Sequence, residues 1–424
     1  MIKYERIQLS ALLARLRETP RRLIVVTGPR QTGKTTLVRQ ALGQIKLPSQ
    51  YLPVDRPDPT TLPLVPDTTG DITGFVSRPR IPSDRSRDTE WLVRQWDTAR
   101  ENARNSGVGF VLALDEIQKI AGWSETVKGL WDEDRLNDLP LHVILLSSAP
   151  LLMQQGMTES LAGRFETVRL THWSFTEMAE AFGFDLEHYI YFGGYPGGAS
   201  YVGEQDRWRS YIVEALIEPN IEKDILAMQR VDKPALFKQL FQLSAEYSGQ
   251  ILSYNKMIGQ LQDAGNTTTL ARYLELLERA GLIVGLQKYS AKPHLRKSSI
   301  PKLNVLNTAL MTAEAEYGFR EAMADRSYWG RLVESAVGAH LFNTGISRCR
   351  LHYWREKEYE VDFVLSRGPK VIAFEVKSGV HRPRVRGLGR FAEQFDVRQS
   401  VLVSDEGDIS LSEFLSKPAD EWFD

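Results

Sequence analysis

An α/β fold is predicted, with a large front domain and a second, smaller α/β unit at the far end, and three stretches carry the prediction. RRLIVVTGPRQTGKTTL, residues 21–37, runs an apolar strand into a glycine-rich loop and then into a helical pattern. VGFVLALDEIQK, residues 108–119, is a second buried strand that ends in two acids. EVDFVLSRGPKVIAFEVKSG, residues 360–379, sets Asp362 at the end of one apolar run and Glu375 and Lys377 inside the next.

At 424 residues the chain has room for roughly two to four domains. Apolar residues make up 42% and charged residues 25%, the balance of a soluble globular protein. A formal net charge of −1 excludes attraction of the whole molecule to nucleic acid, so any such contact must use a local patch. One cysteine, Cys349, excludes an internal disulfide and fits a reducing compartment. The opening MIKYERIQLSALLARLRE is amphipathic and charged rather than signal-like, and no run approaches the roughly 20 apolar residues of a membrane helix. The expected location is the cytoplasm, with no membrane partner.

The elements follow in chain order. LIVV is a buried strand, and GPRQTGKT, residues 28–35, fits the pattern G-x-x-x-x-G-K-[ST] in the strand–loop–helix setting that the pattern requires. Gly28 and Gly33 let the backbone of Pro29, Arg30, Gln31 and Thr32 turn its N–H groups into one cavity, at the positive end of a helix that runs on through Thr35 and Thr36. Lys34 would reach the β- and γ-phosphates of ATP, and the Thr35 hydroxyl would bind Mg²⁺. Asp115 would hold the same ion through water. Glu116 would orient and deprotonate the attacking water, which favours hydrolysis over transfer to a second substrate. LHVILLSSAP ends another buried strand in Ser147 and Ser148; one of them, with Ser148 carried as the candidate, would contact the γ-phosphate or the water. Arg164, ahead of the next strand, is either a solvated surface arginine or a residue that reaches the γ-phosphate of a neighbouring subunit, which would make the working form a homo-oligomer.

GPRQTGKTT, LALDEIQKIAGWSE, SSAP and SLAGRFE, with YFGGYPG at 191–197, resemble the AAA+-related predicted ATPases of bacteria and archaea, whose C-terminal domain is formally of unknown function. The resemblance implies a P-loop ATPase with ATP and Mg²⁺ as cofactors and a sheet of strand order 5-1-4-3-2. It also implies that the YFGGYPG turn lies near the nucleotide. Residues 56–85 hold six prolines, cannot continue a helix or a central strand, and are expected to be a loop insertion after the strand YLPVD.

WSFTEM predicts a helix opened by a capping box between Ser174 and Glu177, and YFGGYPGG breaks the pattern. The expected units are 1–190, the ATPase core; 191–231, a helical linker or lid; 232–306; and 307–424. The third contains three helices followed by two short strands, the order of a winged helix-turn-helix. Leu270, Tyr273, Leu274 and Leu277 give its third helix a core-facing stripe. In a DNA-binding member Thr267, Thr268, Thr269 and Arg272 would lead that helix into the major groove. The connection QKYSAKPHLRKSSIPK carries Lys288, Lys292, Arg296, Lys297 and Lys302 with no acid, so it would track phosphates. The other reading of this unit is a packing or protein-contact module.

In the last unit Glu334 lies on a helix over 328–342. LHYWREKEYEVDFVL and KVIAFEVKSG are read as two strands carrying Asp362 and the Glu375/Lys377 pair. That order is similar to the PD-(D/E)xK nuclease fold, with Val361 where the name has proline. Asp362 and Glu375 would share Mg²⁺ or Mn²⁺, Glu334 would be a further ligand, and Lys377 would orient or activate the attacking water. From Arg367 to Arg390 there are seven Lys or Arg residues and one acid, a face that suits DNA. Three readings stand side by side: a surface hairpin with an ion pair, a nuclease-like fold that binds without cutting, and an active nuclease.

Overall fold

A computed structural model describes residues 4–55, 87–225, 231–263, 265–292, 299–345, 349–378 and 386–424. The proline-rich stretch 56–85 lies outside the described residues, as do Arg296 and Lys297 of the basic connection.

The front sheet is built from β1 (Leu23–Thr27), β2 (Ser49–Pro53), β3 (Phe110–Asp115), β4 (Leu141–Leu146) and β5 (Phe165–Arg169), all parallel, in the order β2-β3-β4-β1-β5. This is the 5-1-4-3-2 order that the resemblance implied. Helices cover both faces, so the central strands are buried on both sides and lack a polar alternation. Ile24 and Val26 pack beneath α1 (Gln8–Leu16) and α2 (Lys34–Gln44). Leu23 and Val25 face the opposite layer of α3 (Thr89–Ser106), α4 (Trp123–Leu136) and α5 (Pro150–Ser160). The N-terminal helix is amphipathic as expected, with Leu9, Leu12, Leu13 and Leu16 inward.

Beyond the sheet, α6 (Phe175–Phe182) begins with the expected capping box between Ser174 and Glu177. After α7 (Leu186–Phe192), a glycine turn, α8 (Gln205–Ser210) and the helical stretches Tyr211–Ile217 and Asn220–Ile225 come three helices, α9 (Pro234–Glu246), α10 (Tyr254–Gln260) and α11 (Thr267–Arg279). They lead into an antiparallel ribbon, β6 (Ile283–Leu286) with β7 (Lys302–Val305). The last sheet has the order β11-β10-β9-β8, from β8 (Arg350–Glu356), β9 (Tyr359–Arg367), β10 (Lys370–Val376) and β11 (Gln399–Val403). A long helix, Arg326–Gly345, packs on one face of it.

Two corrections to the strand assignments arise here. The stretch LHYWREKEYEVDFVL is a hairpin of β8 and β9, not one strand, and it turns at Lys357, whose backbone is left-handed at φ 52°. β11 joins β10 in parallel and was not expected. One hydrophobic core runs from Leu151 through α6–α11, the ribbon and the long helix to Phe423. The ribbon is also hydrogen-bonded to the last sheet: Tyr289 N–H donates to the Tyr353 carbonyl at 2.7 Å, and the Tyr353 hydroxyl to Ile300 O at 2.5 Å. Among the described residues no helix is long and apolar enough to cross a membrane.

Candidate functional site

The GPRQTGKT loop leaves the C-terminal end of β1 and closes at Gly33, the residue before α2, with φ 89°. A side chain is tolerated poorly there and not at all at Gly28, where a Cβ would stand 2.3 Å from the Leu170 carbonyl oxygen. Lys34 is folded back over the loop, donating to the carbonyls of Gly28 at 2.9 Å and Pro29 at 2.7 Å. Its ammonium thus already stands inside the loop's concave face. The Thr35 hydroxyl donates to Asp115 Oδ2 at 2.9 Å, so helix α2 and strand β3 bring one hydroxyl and one carboxylate to a common point. Two hard oxygen donors converging in this way fit a Mg²⁺ ion. Pro29 and Gly28 are buried, Arg30 and Gly33 partly so, and Gln31 and Thr36 are exposed at the loop's rim. Thr32 is fully buried and its hydroxyl donates to the Pro29 carbonyl at 2.9 Å.

Glu116 follows Asp115 with a left-handed backbone, φ 60°, and its carboxylate accepts from Gln118 Nε2 at 2.5 Å. Of the two serines after β4, Ser147 is buried and its hydroxyl is used locally, donating to Ala149 O at 3.1 Å and accepting from Ala149 N–H at 3.0 Å. Ser148 is partly exposed. Arg164 lies away from these groups, paired through both nitrogens of its fork to Asp132 of the same chain at 2.7 and 2.8 Å.

Several residues that brace the loop carried no local signal in the sequence. Arg6 donates to the Thr32 carbonyl at 3.0 Å and is held by both oxygens of Glu177 at 2.8 and 2.9 Å. Trp173 Nε1 donates to the same carbonyl at 3.2 Å. The Tyr51 hydroxyl donates to Asp115, and burial first, then that hydrogen bond, pushes its pKa up. The glycine turn does adjoin the loop: a Cβ on Gly197 would lie 3.5 Å from the Gln31 side-chain oxygen. So does the start of the ribbon. Gly281 packs on Pro29, with 2.5 Å between a Cβ there and Pro29 Cγ, and its carbonyl meets His172 Nε2 at 2.7 Å. Burial lowers the His172 pKa to about 4, so the ring is neutral at neutral pH.

At the other end of the ribbon lies the second group of residues. Asp362 is buried on β9 and accepts from Val376 N–H at 2.9 Å. Glu375, on β10, pairs with Lys377 just beyond the strand at 2.7 Å, as their spacing requires. Glu334 comes from the long helix. Among the described residues no three His, Cys, Asp or Glu side chains are arranged to hold a metal ion. A lysine, Lys302, stands among these acids, and its position corrects the sequence reading that counted it with the basic connection. It is fully buried, with Nζ 2.6 Å from Glu334 Oε1, 3.4 Å from Asp362 Oδ1 and 3.6 Å from Glu360 Oε1. Burial would favour the neutral amine, but the three carboxylates outweigh it and hold the group as an ammonium. Burial pushes the carboxyls of Glu334 and Glu375 up to about 7, against the pull of Lys302 and Lys377 respectively. The arrangement does not fit a divalent metal at Glu334 and Asp362 while Lys302 is in place.

Of the basic residues outside this cluster, Lys288 is half-buried and Lys292 exposed, and Thr267, Thr268 and Arg272 are exposed on the first turns of α11. Arg367 pairs with Asp424 at 3.2 Å, and Arg390 with Glu356 and Glu393 at 3.4 and 3.0 Å.

Strand, loop, helix and the acid pair at the end of β3 define a P-loop nucleotide-binding domain, and residues 20–179 match the model of an AAA domain family. The front domain is thus that of an AAA+-related P-loop protein, and the rest of the chain matches domains of unknown function: residues 183–318 match "Domain of unknown function (DUF8612)" and residues 329–416 "Domain of unknown function (DUF4143)". Uncharacterized proteins of Mycobacterium bovis and Mycobacterium tuberculosis are each 24% identical over 369 residues, covering 86% of this chain and 72% of theirs. Among solved structures, the Walker-type ATPase PABY2304 of Pyrococcus abyssi aligns with 72% of this chain and 94% of its own at 15% identity and a TM-score of 0.48. The RuvB Holliday junction branch migration motor of Thermotoga maritima aligns with 66% of this chain and 86% of its own at 16% identity and a TM-score of 0.31.

Proposed function

We propose that this ATPase hydrolyses ATP with Mg²⁺ held by Thr35 and Asp115, and that its nucleotide state is passed to a C-terminal module that binds DNA. The observation that carries this reading is the packing of Pro29, inside the nucleotide loop, on Gly281, where α11 turns into the ribbon. A loop that adjusts to a γ-phosphate must press on that turn, because both are close-packed.

The residues divide the work. The loop amides from Gly28 to Thr36 cradle the phosphates, and Lys34, released from the carbonyls of Gly28 and Pro29, pairs with them. The ion would neutralise charge developing between the phosphates. Glu116 takes a proton from water, and Ser148 contacts the γ-phosphate. Arg164 serves a neighbouring copy of the chain, which requires it to leave Asp132. DNA meets Thr267, Thr268 and Arg272 at the start of α11, together with Lys288, Lys292, Arg296 and Lys297.

ATP turnover should rise when duplex DNA is added; no rise at low salt would remove DNA from the cycle. Neutralising Lys288, Arg296 and Lys297 together should weaken DNA binding and flatten the slope of log affinity against log salt by about 2 to 3. An unchanged slope would take this connection out of the interface.

For the last unit we carry two readings forward from the sequence. In one, a metal held by Asp362 and Glu375, with Glu334 nearby, and Lys377 beside the scissile phosphate make it a nuclease. In the other it binds nucleic acid without cutting, and the position of Lys302 favours this one. Plasmid incubated with the protein and Mg²⁺ or Mn²⁺ should stay uncut; nicking that Asp362→Asn abolishes would restore the first reading.

A further inference from the structure

The acids of the last unit are met by a side chain that comes from a different element. Lys302 opens β7, and its ammonium lies among Glu334 of the long helix and Glu360 and Asp362 of β9, at 2.6, 3.6 and 3.4 Å. It also donates to the Asp362 main-chain carbonyl at 3.3 Å and stands 5.1 Å from the centre of the Phe363 ring. Nothing of Lys302 reaches solvent. Taking one ammonium out of water costs several kcal/mol unless opposite charge and hydrogen bonds offset it. Here the offset comes from three carboxylates, each of which would otherwise repel the others. Mg²⁺ needs oxygen ligands about 2.0–2.1 Å away in a near-octahedral shell. An ammonium already 2.6 Å from Glu334 occupies that space and adds a repelling charge.

We propose that Lys302 is the resident cation of this cluster: the ribbon's ammonium stands in for a divalent metal, so the unit takes up no Mg²⁺ or Mn²⁺ at Glu334 and Asp362 while the ribbon is seated. Removal of the ammonium turns the same carboxylates into a divalent-cation site. The inference rests on the non-cutting reading of the last unit and deepens it, because it names what keeps the metal out.

The ribbon's seating makes the substitution specific. Lys302 is bridged to Ile251, and Asn304, two residues on, donates to Ser335 O at 3.1 Å, beside Glu334. The Ser248 hydroxyl accepts from Val305 N–H at 3.0 Å and shares a hydrogen bond with the Ser335 hydroxyl at 2.7 Å. The lysine is therefore held by the backbone on both sides of the cluster.

Mn²⁺ binding to the full chain, followed by electron paramagnetic resonance without nucleotide or nucleic acid, tests this. Asp115→Asn serves as background to remove the carboxylate of the P-loop site. With Lys302 present no ion should bind at the cluster up to about 1 mM Mn²⁺, whereas Lys302→Met should add one site at least roughly tenfold tighter. A further Asp362→Asn should abolish that site. One Mn²⁺ bound by the Lys302-containing protein and lost with Asp362→Asn would overturn the proposal, as would a folded Lys302→Met protein that binds none. If Lys302→Met does not fold, Fe²⁺-directed peroxide cleavage of the Lys302-containing protein decides. Cuts near residues 334 and 360–362 would overturn the proposal, and an uncut chain there is the expected result. Plasmid nicking by a protein that binds no Mn²⁺ at the cluster would sink the non-cutting reading and leave the role of Lys302 standing.

Discussion

Glu116→Gln is expected to bind ATP as the wild type does and to release phosphate at least roughly 10²-fold more slowly. The substitution keeps the size and shape of a side chain that follows Asp115 directly and already hydrogen-bonds Gln118. What it removes is the capacity to accept a proton from water. The left-handed backbone at Glu116, φ 60°, costs a non-glycine residue on the order of 1 kcal/mol, a strain that suits a position where aim matters more than local stability. Lys34→Ala should fail differently. It removes the one ammonium inside the loop, so nucleotide affinity itself should be lost. Titration with a fluorescent ATP analogue beside steady-state phosphate release separates the two variants. Wild-type turnover by Glu116→Gln would show that another group activates the water.

Arg6→Ala is expected to lower the stability of the front domain by about 3 to 5 kcal/mol and to weaken ATP binding as well. Arg6 is buried, 4% exposed, and fills both oxygens of Glu177, which is itself only 9% exposed. With Arg6 gone, Glu177 keeps a single strong donor, the Ser174 N–H at 2.9 Å, and is left as a buried charge. The nucleotide loop loses a donor to the Thr32 carbonyl, and the segment that follows β5 loses one to Thr171 O. Arg6→Met with Glu177→Leu should be less damaged in urea unfolding than Arg6→Ala alone, since no orphaned charge remains. Its ATP affinity should stay low, because Thr32 O keeps only the Trp173 donor and the loop has lost the Arg6 brace. A single mutant as stable as wild type would mean the pair contributes nothing to the fold.

The contrast between these two residues explains what was legible in the sequence. Gly28, Gly33, Lys34 and Thr35 sit within one turn of chain, and the acids of β3 end an unmistakably buried strand, so local pattern was enough. The capping box at Ser174 and Glu177 was readable for the same reason. Arg6 acts on a loop 26 residues away and on Glu177, 171 residues away, and no spacing rule reaches that far. The last sheet failed for two separate reasons. The turn at Lys357 has no glycine, asparagine or proline to mark it, so two strands were read as one. Lys302 sits in a run of basic residues that looks uniformly solvated, and only the seating of β7 beside β6 turns this lysine inward, onto acids supplied by residues 334, 360 and 362.

The ribbon has a consequence for how such a protein can be taken apart or recombined. A natural place to divide the chain by sequence is near residue 306, leaving the carboxylate-bearing sheet as a module of its own. That cut would sever Glu334, Glu360 and Asp362 from the only lysine buried among them in the described structure. The freed module would inherit a cavity of crowded negative charge, and the donor half would inherit an ammonium with nothing to face. A lineage that exchanged this module for another by recombination would have to carry the ribbon along with it, and with the ribbon the turn at Gly281 that fits Pro29. The nucleotide loop, the ribbon and the last sheet would then be inherited together.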